Sequence, residues 1–211
     1  MRLIGMLDSP YVRRVAICLD LLQVSFTHES VSVFNHFDYF RSLNPVVKAP
    51  TFICDDGTVL MDSSLILQFA EAAPGNGRSL WSGKENLLQH EYRVVGLALA
   101  ACEKAAQYLY ETNLRPPEKQ HAPWLARVQS QLQAAHAALE QELQQRPLLF
   151  NSALNHASIA AAIAWQFTQS LLAELVAADS HPALAALSAR LEQHPAFLRW
   201  PPSGPGVPQA Q

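Results

Sequence analysis

Ser9-Pro10-Tyr11-Val12-Arg13-Arg14 is the stretch from which the rest of the chain can be organised. Ser9 is a residue type that caps helices, and Pro10 then takes the first helical position, where a missing N–H costs nothing. Val12, Val15, Ala16, Leu19 and Leu22 recur at helical spacing behind it. The short apolar segment before it, Arg2 to Met6, reads as a buried strand. Working outward, Ser25 to Ser32 alternates as a second strand does. His36 to Leu43 reads as a short helix ended by Asn44-Pro45. Thr51 to Cys54 and Thr58 to Met61 flank Asp55-Asp56-Gly57, a hairpin signal. Ser63 is expected to cap a further helix to about Ala72.

The order is strand, helix, strand, helix, strand, strand, helix within 80 residues. A helix between two strands implies parallel pairing, and the tight hairpin implies an antiparallel pair. The expectation for residues 1–78 is an α/β domain with a mixed sheet, the thioredoxin-like arrangement. Pro74-Gly75-Asn76-Gly77 reads as a linker. Beyond Lys84 the chain is rich in Ala, Leu, Gln and Glu and strand signals vanish. Helical patterns cover roughly Glu85 to Asn113, Pro123 to Gln145, Ser158 to Ala177 and Pro182 to Gln193. Residues 84–200 are therefore expected to form an all-α domain. The Pro- and Gly-rich stretch 201–211 reads as a flexible tail.

Composition narrows the function classes. The chain has 211 residues, 49% of them hydrophobic, enough for one large or two small cores. Its 18 acidic and 15 basic residues give a net charge of −3, with no dense basic patch for nucleic acid. The longest apolar runs, such as Ala157 to Trp165, fall short of a membrane span, and no signal-peptide core follows Met1. A cytoplasmic protein without membrane or nucleic-acid partners is expected. Cys18, Cys54 and Cys102 are far apart and lie among apolar residues, so all three are expected as buried small hydrophobes. The eight histidines are scattered without metal-ligand spacing, and no metal is expected. His90-Glu91 begins like a zinc-protease helix, but the second His is missing.

Three motifs carry chemistry. Ser9 has two readings, a plain helix cap or a hydroxyl placed beside helix-start N–H groups, which favour an anion. A hydrogen bond to a charged group contributes about 1.5–3 kcal/mol, and one pKa unit is about 1.36 kcal/mol. One donor could therefore lower a bound thiol by roughly one to two units, from about 8.5 towards neutrality. Tyr11 is a second candidate for this contact, with packing as its plain reading. Ala49-Pro50 stands directly before a strand, which a cis peptide or an ordinary turn would explain. Lys48 is suited to neutralise a ligand carboxylate or to stand solvated. Asp62-Ser63 joins an acid to a helix-capping hydroxyl, with Ser64 as a possible sharer.

These motifs, at this spacing, resemble the glutathione-binding half of a glutathione S-transferase with a Ser-type site, and the bacterial branch of that family in particular. Ser9-Pro10-Tyr11-Val12 occupies the place of the thioredoxin Cys-x-x-Cys, so dithiol redox chemistry is excluded there. The resemblance implies that glutathione is the cosubstrate and that Ser9 stabilises its thiolate. It implies that Ala49 offers backbone groups to the cysteinyl part, beside a cis Pro50. It implies that Asp62 and Ser63 grip the γ-glutamyl end, and it makes His36 a candidate for the glycyl end. The second substrate would be a small hydrophobic electrophile or a peroxide, with Tyr108 and Glu103 as weak candidates in its pocket, and the protein a homodimer. The alternative is a non-catalytic protein-binding module of the same fold. In the family a Ser/Thr-x-x-Asp box starts a helix of the second domain. Here the stretch is Ser158-Ile159-Ala160-Ala161, so the reciprocal cap is expected to be lost at about 0.5–2 kcal/mol, with Asn155 as a substitute.

Overall fold

The computed structural model describes residues 1–73, 77–147, 150 and 154–209. Two compact units divide the chain, Met1–Leu80 with His194–Gly206, and Trp81–Gln193 with Val207–Gln211. Residues 74–76 of the expected linker lie outside the described residues.

The first unit is built on four strands, β1 (Arg2–Ile4), β2 (Thr27–Glu29), β3 (Thr51–Ile53) and β4 (Val59–Met61), in the order β2-β1-β3-β4. β1 runs parallel to β2 and antiparallel to β3, and β3 is antiparallel to β4. The pairing expected from the sequence order holds, because α1 (Pro10–Leu21) supplies the crossover that a parallel pair needs. β2 is shorter than the alternation suggested, three residues rather than the whole of Ser25 to Ser32.

Side-chain alternation then sorts the core. Leu3 and Phe52 are direct cross-strand partners, and both are fully buried. Ile4 points to the other face, where it clusters with Val31 and with Phe40, the one buried residue of α2 (Phe37–Leu43). α1 packs against α3 (Ser63–Ala72), burying Val12, Val15, Ile17 and Leu19 from one helix and Ile66, Leu67 and Ala70 from the other.

In the second unit α4 (Glu85–Asn113) packs along α5 (Ala122–Gln145) and α6 (His156–Leu172), and α7 (Pro182–Glu192) packs on α5 and α6. α6 is buried on all sides from His156 to Trp165, which makes it the central helix of its unit. Its start corrects the sequence reading. Asn155 is the N-cap, its Oδ1 accepts from the Ser158 N–H at 2.8 Å, and Ser158 Oγ accepts from the Asn155 N–H at 3.1 Å. A hydroxyl performs the reciprocal role of the missing acid, so the box is present and its cost is not incurred.

Two other expectations change. The last helix, α8 (Pro195–Arg199), packs on α1 in the first unit rather than closing the helical domain. The stretch read as a tail makes defined bonds: Ser203 accepts from the Asp8 N–H at 2.9 Å, and the Gly206 N–H donates to Asp8 at 2.8 Å. The fold is otherwise as expected, a thioredoxin-like α/β domain and an all-α domain, with eight α-helices among the described residues.

Candidate functional site

Ser9 stands at the N-cap of α1 in extended backbone, φ −72° and ψ 122°. Its Oγ accepts from the Val12 N–H at 3.5 Å, a long contact for a cap. The hydroxyl hydrogen donates to no other group among the described residues, so Ser9 caps its helix and keeps a donor in hand. The two readings of this residue are compatible. Tyr11, half-buried, lies in the first turn of the same helix.

The peptide bond between Ala49 and Pro50 is cis, and β3 begins one residue later at Thr51. Ala49 is half-buried, and its backbone N–H donates to no group among the described residues. Gly5, at the end of β1, brings this loop and α1 together. Its φ is 139°, and an added Cβ would meet Val12 Cγ2 at 2.7 Å and Ala49 Cβ at 3.2 Å. Only glycine combines that backbone with that approach. Lys48 is exposed, and its carbonyl accepts from the Thr51 hydroxyl at 2.7 Å.

The third motif needs a correction. Asp62, not Ser63, caps α3: its Oδ1 accepts from the Ser64 N–H at 2.9 Å and the Leu65 N–H at 3.4 Å. Asp62 has φ 74°, which is unusual for a residue with a side chain. Ser63 is the first residue of the helix and is only 4% exposed. The Ile66 N–H goes to the Asp62 carbonyl. Of the N–H groups in the first turn, those of Ser64 and Leu65 go to Asp62, and that of Ser63 has no partner among the described residues.

Sequence reasoning missed Arg14. Its guanidinium is 3% exposed and donates through Nη1 to Ser63 Oγ and to Ser64 Oγ, both at 3.1 Å. Because each hydroxyl accepts from the cation, its own hydrogen is free to point outward. A free N–H, two oriented hydroxyls, a buried cation and a helix start make a seat for a carboxylate. The exposed Asp62 beside it supplies the opposite charge. One α-amino-acid end, with both a carboxylate and an ammonium, fits this pair. A signal was present in the run Arg13-Arg14 inside an apolar helical stripe, since a charge there must find partners.

Other expected participants stand apart. His36 is exposed at the start of α2, and its Nδ1 takes the Ser32 N–H at 3.3 Å. Glu103 pairs with Lys104 and Gln107 on α4, and the Tyr108 carbonyl takes the Thr112 hydroxyl. Cys18 is fully buried, which pushes its thiol up to about 12. Cys54 departs from expectation: it is half-buried in the hairpin, and its thiol is raised by burial and by Asp56 and Asp55. Neither Cys18 nor Cys54 has the depressed pKa of a protein nucleophile. Among the described residues no group of three or more His, Cys, Asp or Glu is placed to hold a metal ion. No helix among them is long and apolar enough to cross a membrane.

Residues 3–78 match the family model described as the N-terminal domain of glutathione S-transferase. The comparison with curated proteins found no match. A glutathione S-transferase from Methylobacterium radiotolerans, solved with glutathione sulfonate, is 26% identical with a TM-score of 0.89, over 100% of this chain and 98% of that one. A glutathione transferase family member from Pseudomonas fluorescens Pf-5, solved with bound glutathione, is also 26% identical, with a TM-score of 0.82 over 96% of this chain and 99% of that one. A glutathione S-transferase from Methylobacillus flagellatus, solved with glutathione, superposes with a TM-score of 0.85 at 20% identity, over 96% of this chain and 99% of that one. Residues 3–78 thus carry the N-terminal domain of glutathione S-transferases, and the chain has the glutathione S-transferase fold.

Proposed function

We propose that this protein is a Ser-type glutathione transferase. The observation that carries the reading is the seat at the start of α3. Arg14, the Ser63 and Ser64 hydroxyls and the Ser63 N–H receive the γ-glutamyl carboxylate, and Asp62 receives the ammonium. The Ala49 backbone N–H receives the cysteinyl part in the manner of an added strand. Lys48 stands exposed on the same loop for the remaining carboxylate.

Ser9 donates its hydroxyl hydrogen to the sulfur. The bond is stronger to a thiolate than to a thiol, so the thiol pKa falls. No protein base is required, because ionisation at neutral pH already yields the nucleophile. The thiolate then attacks a small hydrophobic electrophile or a peroxide. Among the similar proteins, one structure with bound glutathione and one with glutathione sulfonate support glutathione as cosubstrate.

The proposal includes a cytoplasmic location and a homodimer. α3 leaves Leu65 60% exposed and Phe69 41% exposed, one turn apart, which suits a face covered by a second copy. Sedimentation at micromolar concentration tests that part.

The test of function is a titration of glutathione into the protein, following thiolate absorbance against pH. Saturable binding with a thiol pKa about one to two units below the free value is expected. Binding with an unshifted pKa would favour a non-catalytic binding module, and no binding would overturn the reading.

A further inference from the structure

Ser9 lies between two anchor points that the far end of the chain holds. On its N-terminal side is Asp8. The Asp8 N–H donates to the Ser203 carbonyl at 2.9 Å, and Asp8 Oδ2 accepts from the Gly206 N–H at 2.8 Å. On its C-terminal side is Arg13, 1% exposed, whose Nε donates to the Trp200 carbonyl at 2.8 Å. The Arg13 guanidinium also sits 5.4 Å from the centre of the Phe197 ring. Trp200 is fixed in turn by stacking on Phe26, with ring centres 5.2 Å apart.

The segment between these anchors is Pro201-Pro202-Ser203-Gly204-Pro205-Gly206. Such a sequence has little cause to order itself, since it buries little apolar surface and forms no element. Here its path is shaped to Asp8. A Cβ on Gly204 would overlap the Asp8 carboxylate, so the glycine is what allows the close approach. The contact takes Asp8 out of water, and that burial raises its carboxyl above the ordinary value.

The Ser9 side chain makes a single contact at 3.5 Å, while its backbone N–H donates to the Met6 carbonyl at 3.2 Å and its carbonyl accepts from the Arg13 N–H at 3.0 Å. Its placement is set by the backbone on either side, and both sides are held by the C-terminal stretch. We infer that Trp200–Gly206 is a latch on the start of α1, with Asp8 and Gly204 as positioning residues that fix the Ser9 hydroxyl for a bound thiol. The inference rests on the reading of Ser9 as the thiol donor. The latch's hydrogen bonds among the described residues run to Asp8 and Arg13 and not to the α3 seat or Ala49, so on this inference it governs thiol acidity and not affinity. Displacements well under an ångström matter for a donor whose value depends on distance and angle.

The test uses glutathione as the probe, with one full-length variant and one shortened variant. Gly204→Ala prises the latch from Asp8, and a second variant ends the chain after Trp200, which keeps the Arg13 and Phe26 contacts. Both are expected to bind glutathione within about threefold of the parent. Both are expected to raise the pKa of the bound thiol by about one unit. Added to Ser9→Ala, neither should raise it further, as a shared pathway requires. A purely structural role would lower the melting temperature without moving the thiol titration. Parental titration curves in both variants would overturn the latch, and so would a shift that persists on the Ser9→Ala background. If Ser9→Ala shifts the titration and the latch variants do not, the latch alone falls. If Ser9→Ala shifts nothing, the Ser9 reading falls and takes the latch with it.

Discussion

Arg14 Nη1 lies 3.1 Å from Ser63 Oγ, and it joins the middle of one helix to the first residue of another. A 3% exposed guanidinium is costly to hold out of water. The two hydroxyls it meets are turned towards the start of α3, where a carboxylate on their outer side would accept from both.

Arg14→Met should therefore weaken glutathione binding by about 10- to 100-fold, the worth of one or two charge-assisted contacts. Arg14→Lys should recover only part, because the shorter lysine side chain does not carry its ammonium to the Nη1 position that meets both hydroxyls. Calorimetric titration checks both. Unchanged affinity in Arg14→Met would remove Arg14 from the site.

Ser9 and Ser63 should separate binding from activation. Ser9→Ala is expected to leave glutathione affinity nearly unchanged and to raise the bound thiol pKa by about one to two units. Ser63→Ala should weaken affinity by about tenfold and leave that pKa in place. The same absorbance titration reads both quantities. If Ser9→Ala leaves the thiol titration as it was, Tyr11 becomes the donor to test.

Much of this arrangement was legible locally. The order of strands and helices follows from hydrophobic period and turn residues, and each expected motif occupies a loop or helix start. What was not legible depends on distant partners. Arg13 and Arg14 sit inside an apolar helical stripe, and the groups that meet them, Trp200 and Ser63, lie 187 and 49 residues away. The end of the chain reads as a tail because nothing near it offers a partner. The cap of α3 was misplaced by one residue, since Asp62 and Ser63 are both capping types. The positive φ of Asp62 decides between them, and no local pattern reports it. At α6 the box was sought over Ser158 to Ala161, whereas Ser158 is the third helical position of a box that Asn155 opens three residues earlier.

That capping box yields a stability prediction. Asn155→Ala and Ser158→Ala should each destabilise the protein by about 1 kcal/mol, and their effects should not add, since each removes the same reciprocal pair. Urea denaturation measures this. Additive losses would mean the two bonds act independently.

His136 carries the last prediction. It is fully buried on α5, and its Nδ1 lies 3.1 Å from the Leu132 carbonyl. Its ring meets Trp165 edge-on, with His181 at 6.2 Å. Burial, chiefly, lowers its pKa from 6.5 to about 4, with His181 adding to the shift. The unfolded chain binds a proton near pH 6.5 that the folded chain refuses until about pH 4. The stability this neutral imidazole permits is complete above pH 6.5 and drains away as the pH falls towards 4. Integrated over that window, the loss is roughly 3 kcal/mol. Melting temperatures measured from pH 7.5 down to about 4.5 should fall accordingly. In His136→Phe, which keeps a ring against Trp165, the fall should be shallower. An equally steep fall in that variant would assign the acid sensitivity to other groups.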